Sequence, residues 1–301
     1  MPIMLFVIMK RVREMSKFEI NNVVDTALWV AAFRAIESKR PDALFNDPFA
    51  EKLVGLNSHK IIRNMKGSTY TSWLVIIRTC IIDRYILNLI KSGVDTIINL
   101  GAGLDTRPYR LNLPTSLHWI EVDFPEMINY KNQFLQNETP KCKLERISLD
   151  LTNYEKRNKL FSQINAESKK TLVLTEGVIT YLENQEVANL CHDLRKNNTF
   201  KYWIVDYFSP IFLNEIRKKN YTKQMKNAPI QFYPKDWFSF FNENNWEVNE
   251  ITFLDEESKK LNRKMPSPFW LKLIKKIIPT SKQLIFQKFA AYVVLIPSGH
   301  E

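Results

Sequence analysis

Gly101 and Gly103 close the apolar run Thr96-Ile97-Ile98-Asn99-Leu100, and an acid, Asp123, stands twenty residues after Gly103 at the end of a second run, Trp119-Ile120-Glu121-Val122. A Gly-x-Gly at a strand end lets the backbone turn tightly and approach a ligand where the next helix begins. An acid at the neighbouring strand end can accept two hydrogen bonds from the vicinal hydroxyls of an adenosine ribose. The plainer alternative is a turn followed by an exposed acid. Only seven glycines occur in the chain, so each that does occur is expected to meet a backbone need.

Two nucleoside cofactors suit such a turn, and the next residues separate them. A dinucleotide fingerprint wants a third small residue three positions after Gly103, so that the helix packs closely and presents its N-terminus to a pyrophosphate. That position is Thr106, followed by Arg107 and Pro108. Proline is tolerated only near a helix start, which displaces the helix from the loop. A cofactor without a pyrophosphate, S-adenosylmethionine, fits better than NAD. A third apolar run ends in Leu149-Asp150-Leu151, where the acid can accept from the adenine amine, and a fourth in Leu174-Thr175-Glu176-Gly177. Four successive strand ends thus carry a glycine turn or a carboxylate on the edge where ligands bind in open α/β sheets.

Arg78 adds a cation to this set. Its neighbours at helical spacing are Leu74, Val75, Ile81 and Ile82, so it lies on an apolar face and needs an anionic partner. That partner is either a protein carboxylate, Asp83 or Glu176, or a ligand carboxylate gripped by the guanidinium fork.

The elements that must position these groups follow from periodicity. Stretches 24–39 and 70–91 repeat apolar residues every three or four positions and read as helices. From residue 94 onward, short apolar runs at 94–100, 117–122, 142–149, 171–175 and 202–206 alternate with helix-like stretches at 104–111, 124–136, 153–164 and 184–196. Such alternation specifies βαβ units and a parallel sheet. Two further strands are expected at 246–254 and 290–296. The expected organisation is one domain over 15–301: a helical cover at 15–92, a cofactor-binding core at 93–207, an acceptor-side insertion at 208–245, and final strands with a basic helix at 246–301. Residues 1–14 read as a flexible tail or an over-extended start. The aromatic-rich stretch 200–246 is expected to be mostly core or lid packing, with a minority of rings walling an apolar pocket.

Composition narrows the function classes. The 45% apolar content excludes disorder, and Cys80, Cys142 and Cys191, odd in number and without CxxC spacing, point to a reducing, cytoplasmic setting. Four dispersed histidines offer no metal-ligand spacing, so no metal is expected. The apolar start, residues 1–9, falls well short of the roughly 18 residues a membrane span needs. Much of the net charge of +11 resides in 259–288, which holds nine Lys/Arg and no acid. Within it, Phe269-Trp-Leu-Lys-Leu-Ile-Lys-Lys-Ile-Ile278 sorts apolar and basic residues onto separate helical faces, as either an ordinary packed helix or a peripheral membrane contact would. No nucleic-acid recognition motif accompanies that charge.

Taken together, several segments resemble the leucine carboxyl methyltransferase family of S-adenosylmethionine-dependent O-methyltransferases, in its bacterial branch. They are Thr26-Ala27-Leu28 through Glu37, Asp47-Pro48-Phe49-Ala50, Arg78-Thr79 with Asp83, Leu100-Gly-Ala-Gly-Leu-Asp-Thr-Arg-Pro-Tyr-Arg110, Glu121-Val-Asp-Phe-Pro125, Asp150-Leu151, and Glu176-Gly177 with Tyr181-Leu182. Their order holds over about 25–210, and little is recognised beyond. The resemblance implies a class I methyltransferase fold: a seven-stranded, mostly parallel Rossmann-like sheet with helices on both faces, a reversed final strand and an N-terminal helical cover. It implies that Asp123 holds the ribose, Asp150 and Leu151 the adenine, and that Gly101 lines the methionine portion, with Gly103 also cofactor-binding. Arg78 and Arg34 would meet carboxylates of cofactor or acceptor, Glu176 would face the cofactor's amino group, and Tyr181 the acceptor. Arg78 and Tyr181 are the candidates for a catalytic part.

The expected function is methyl transfer to a carboxylate or hydroxyl of a small, partly apolar acceptor. A basic peripheral binding protein on a nucleotide fold, and an NAD-dependent oxidoreductase, are the alternatives.

Overall fold

The short apolar runs become strands β1 (Thr96–Leu100), β2 (His118–Asp123), β3 (Lys143–Ser148), β4 (Thr171–Thr175), β5 (Phe200–Phe208), β6 (Trp246–Phe253) and β7 (Ala290–Pro297). In the computed structural model, which describes residues 23–55, 69–218, 230–266 and 287–299, they form one sheet of order β3-β2-β1-β4-β5-β7-β6. The first five strands pair in parallel, while β7 runs antiparallel to both β5 and β6. The stretch 1–14 and the segment 269–278 lie outside the described residues. No described helix is long and apolar enough to cross a membrane.

The helices α1 (Val23–Ser38), α2 (Pro48–Val54) and α3 (Thr69–Lys91) precede the sheet; α4 (Arg107–Arg110), α5 (Pro125–Leu135), α6 (Tyr154–Glu167) and α7 (Asn184–Arg195) connect its parallel strands. After β5 come α8 (Pro210–Lys218) and α9 (Trp237–Glu243), and α10 (Leu254–Lys260) follows β6. Alternate strand residues point to opposite faces. Ile97, Trp119, Leu172 and Ile204 therefore pack with Ile77, Ile81 and Tyr85 of α3, whereas Ile98, Ile120, Val173 and Val205 pack with Phe161 of α6 and Leu190 of α7. Helices thus cover both faces. A third cluster joins Leu28, Ala31 and Phe33 of α1 and Leu53 of α2 to Leu104, Tyr109 and Met127, seating the cover on the loop after β1.

Two details depart from the sequence expectation. The helix anticipated over 104–111 shrinks to Arg107–Arg110, because Pro108 lies in its first turn. The aromatics of 200–246 give no wall to the cavity described below, as far as they are described: Trp203, Tyr207, Phe232, Trp237, Phe241 and Trp246 all interlock in the core. These rings are large and mostly apolar, so burying them between β5 and α9 removes more apolar surface from water than lining an open cleft would.

Candidate active site

The chain order of the sheet reverses at β1, which lies between β2 and β4, and a cleft opens at the carboxyl ends of these three strands. Its volume is about 420 Å³. Arg34, Arg78, Gly101, Gly103, Asp123, Asp150, Leu151, Glu176 and Tyr181 all line it. Residues from six separate elements or loops are thereby gathered into one site.

The floor is the turn after β1. Gly101 adopts φ +66° and Gly103 φ +47°, the left-handed region that glycine enters without Cβ strain. A Cβ on Gly101 would stand 2.5 Å from Val178 Cγ2, so no larger residue fits without moving the turn after β4. Asp123 ties the floor to β2. Its Oδ2 accepts from Gly103 N–H at 2.6 Å and its Oδ1 from Phe124 N–H at 2.7 Å, leaving the remaining lone pairs to the cleft. Burial pushes the Asp123 carboxyl above its ordinary value, against those two amide donors. Asp150 is exposed, and one of its oxygens accepts from the Thr152 N–H and hydroxyl. Phe124, 44% exposed, and Met127, Leu149 and Leu151 supply apolar surface around these acids.

Behind the floor lies a buried ionic network that balances four arginines with four carboxylates. Arg107 Nε meets Asp83 at 2.7 Å, and its Nη1 meets Asp105 at 2.8 Å and Glu176 at 2.9 Å. Arg110 grips both oxygens of Asp83 at 2.6 and 2.8 Å. Asp47, the N-cap of α2, accepts from Arg34 Nε at 2.8 Å and from the Thr106 hydroxyl at 2.7 Å. Arg78 Nε lies 2.8 Å from Glu176 Oε1, at an angle short of a hydrogen bond. Desolvation would raise these carboxyls, yet the neighbouring guanidinium groups outweigh it and hold Asp47, Asp105 and Glu176 below the ordinary range.

The structure adds detail to three sequence expectations here. Arg78 does have a protein partner, Glu176 rather than Asp83, because Asp83 is taken by Arg107 and Arg110. Its two Nη atoms donate to none of the described residues and remain at the cleft. Arg34 lines the cleft but is committed to Asp47 and, through Nη2 at 2.6 Å, to the Leu104 carbonyl, so it joins the cover to the floor instead of offering a free cation. Glu176, expected beside an amino group, commits both oxygens to Arg78 and Arg107. Tyr181 lines the cleft, and its hydroxyl donates to none of the described residues. The sequence reading assigned no role to Asp105, Arg107, Phe124 or Gln231. The first two stood inside the quoted glycine motif; a buried Asp-x-Arg after a strand was the available signal.

The network sets an acid limit on stability. The depressed carboxyls bind fewer protons folded than unfolded, so their contribution is complete above the unfolded value, near pH 4, and is lost as pH falls through the folded values. The urea midpoint is expected to hold near neutrality and drop steeply between about pH 5 and 3; a midpoint unchanged to pH 3 would contradict the network's charge state.

The family profile described as "Leucine carboxyl methyltransferase" matches residues 27–195, more than half of the chain. The chain belongs to the leucine carboxyl methyltransferase family. That match spans α1 to α7, so it includes every cleft residue discussed here except Gln231. Relatives carry the same theme in their names. A protein of Parafrankia sp. (strain EAN1pec), "Putative S-adenosyl-L-methionine-dependent methyltransferase Franean1_4929", is 32% identical over 181 residues, covering 57% of this chain and 58% of its own. A Frankia alni protein, "Putative S-adenosyl-L-methionine-dependent methyltransferase FRAAL3836", is 30% identical over 172 residues, covering 55% and 61%. The chain thus spans about three fifths of the length of these curated relatives. Among solved structures, one titled as a putative methyltransferase from Thermobifida fusca YX superposes with a TM-score of 0.56 at 12% identity, covering 94% of this chain and 97% of that one. This likeness shows that the leucine carboxyl methyltransferase family member described here has the class I methyltransferase fold.

Proposed function

We propose that the protein is an S-adenosylmethionine-dependent methyltransferase that acts on an oxygen, carboxylate or hydroxyl, of a small and partly apolar acceptor. The observation that carries this reading is the Asp123 carboxylate, oriented by the Gly103 and Phe124 amides and facing the cleft beside a glycine floor. Such a carboxylate suits the two hydroxyls of a ribose. Thr106, fully buried and bonded to Asp47, blocks the close helix approach that a dinucleotide needs.

The residues present fit the cofactor. Asp123 would hold the ribose, Asp150 and Leu151 the adenine edge, and Phe124, Met127 and Leu149 its faces. The Nη atoms of Arg78, which donate to none of the described residues, suit the carboxylate of the amino-acid portion. When bound, the sulfonium supplies an electrophilic methyl group. The protein's task is then to align and to exclude water, and alignment is worth about 7–11 kcal/mol of barrier. Tyr181, which lines the same cleft as Arg78, would orient the acceptor. A carboxylate acceptor needs no general base, whereas an alcohol does; no histidine lines the cleft among the described residues.

Calorimetric titration tests the class. Saturable binding of S-adenosylmethionine or S-adenosylhomocysteine without binding of NAD supports the reading; NAD binding alone overturns it. Within the same experiment, Arg78→Leu is expected to weaken S-adenosylhomocysteine by about tenfold or more through loss of a charged hydrogen bond. It should leave 5′-methylthioadenosine, which lacks the carboxylate, unaffected. Lysine at this position restores little, because it lacks the planar fork. Equal affinity of Arg78→Leu and parent for both ligands would reduce Arg78 to a structural partner of Glu176.

A further inference from the structure

Asp206, on β5, is a buried carboxylate, 3% exposed, that forms no ion pair with any described residue. A buried carboxylate without a cation persists only if donors saturate it. Its donors come from the turn after β4: Gly177 N–H reaches Oδ1 at 3.2 Å and the Thr180 hydroxyl reaches Oδ2 at 2.6 Å. The two contacts straddle the turn, and Gly177 takes φ +68° to make the first of them.

That turn is the structural link between the two halves of the cleft. It begins at Glu176, which is ion-paired to Arg78 and Arg107; Val178 lies beneath Gly101; and Tyr181 faces the cavity. Its outer side receives another segment of the chain. The Thr180 carbonyl accepts from Gln231 N–H at 2.9 Å and Phe232 N–H at 3.3 Å, and the Tyr181 carbonyl accepts from Gln231 Nε2 at 2.7 Å. Gln231 lines the cleft beside Tyr181 and Leu182, while Phe232 is buried against Phe240 and Phe241. Thr180 therefore holds Asp206 with its side chain and the 230–232 segment with its backbone.

We propose that Asp206 is a positioning residue for the acceptor side of the cleft: it fixes the Gly177–Tyr181 turn so that Tyr181 and the docked Gln231 form one wall. This role rests on the methyl-transfer reading above. Asp206 does not itself line the cavity and holds only the turn after β4, so its loss loosens that wall and spares the ribose and adenine contacts made from β2 and the loop after β3.

The test compares parent, Asp206→Ala, Thr180→Val and Thr180→Ser by hydrogen–deuterium exchange read by mass spectrometry, with S-adenosylhomocysteine affinity measured by calorimetry on the same samples. Alanine removes both acceptors, leaving Gly177 N–H and the Thr180 hydroxyl without them, and valine removes the hydroxyl donor. Both are expected to speed exchange at 177–182 and 230–232 by about tenfold or more, while β1 and β2 keep parental rates. Thr180→Ser, which keeps the hydroxyl, should restore rates to within about twofold, and affinity should stay within about threefold in every variant. Unchanged exchange at 230–232 in both disruptive variants would overturn the proposal, as would equal acceleration across the whole sheet or a serine variant that behaves like valine. Should Asp206→Ala not fold, the Thr180 pair decides the matter. A parent that binds no S-adenosylhomocysteine but shows the expected exchange pattern would sink the methyl-transfer reading and leave the clamp itself supported.

Discussion

Arg107→Leu is expected to lower the free energy of unfolding by about 3–5 kcal/mol, the usual cost of removing one member of a buried ion-pair network. The guanidinium is only 3% exposed and serves three carboxylates, Asp83, Asp105 and Glu176. These do not suffer equally. Asp83 keeps both contacts to Arg110, and Glu176 keeps Arg78. Asp105 is stranded, left with a single side-chain donor, the Asn99 amide at 2.9 Å. The cost should therefore concentrate on Asp105, and the double variant Arg107→Leu/Asp105→Asn should recover at least about 1 kcal/mol, since a neutral amide there no longer needs a cation. Urea unfolding of the two variants and the parent measures both quantities. A single variant that loses less than about 1 kcal/mol, or a double variant less stable than the single, would mean that Asp105 is stabilised by something other than Arg107.

For Asp123→Ala the effect falls on binding. Two ribose hydroxyls lose a charged acceptor worth about 1.5–3 kcal/mol each, so affinity for S-adenosylhomocysteine should fall by roughly a hundredfold or more. The Gly103 and Phe124 amides also lose the carboxylate that orients them, which loosens the floor of the cleft. The fold should survive, because Asp123 ends its strand at the cleft edge and the apolar residues before it, Ile120 and Val122, hold the strand in the core. Calorimetry together with a melting curve separates the outcomes. Normal melting with unchanged affinity would remove Asp123 from the site.

Much of the architecture was legible because its causes are local. The alternation of short apolar runs with three-to-four-residue periodicity placed the first five strands, whose parallel pairing follows from it almost unaided, and two later apolar runs placed β6 and β7. The glycine pair announced the left-handed turn, and Pro108 announced that the next helix would start late, both for steric reasons confined to a few residues. The apolar neighbours of Arg78 likewise demanded an anion near it.

What sequence alone left open was which anion, and how the site is wired behind its lining. Arg78 and Glu176 are distant in the chain, as are Arg34 and Leu104 or Asp206 and Thr180, and nothing in local spacing ranks Glu176 above Asp83 as a partner. Only the folded arrangement of α3 and α4 brings Asp83 to Arg107 and Arg110 and so reserves Glu176 for Arg78. The same holds for the aromatics after β5, whose composition suits a core and a pocket wall equally until their strand neighbours fix the face they occupy. Periodicity and sterics act over a turn or a pleat, and a chain shows them residue by residue. Charge pairing acts across a few ångströms of space between groups that only the folded sheet makes neighbours, so the tertiary structure decides it.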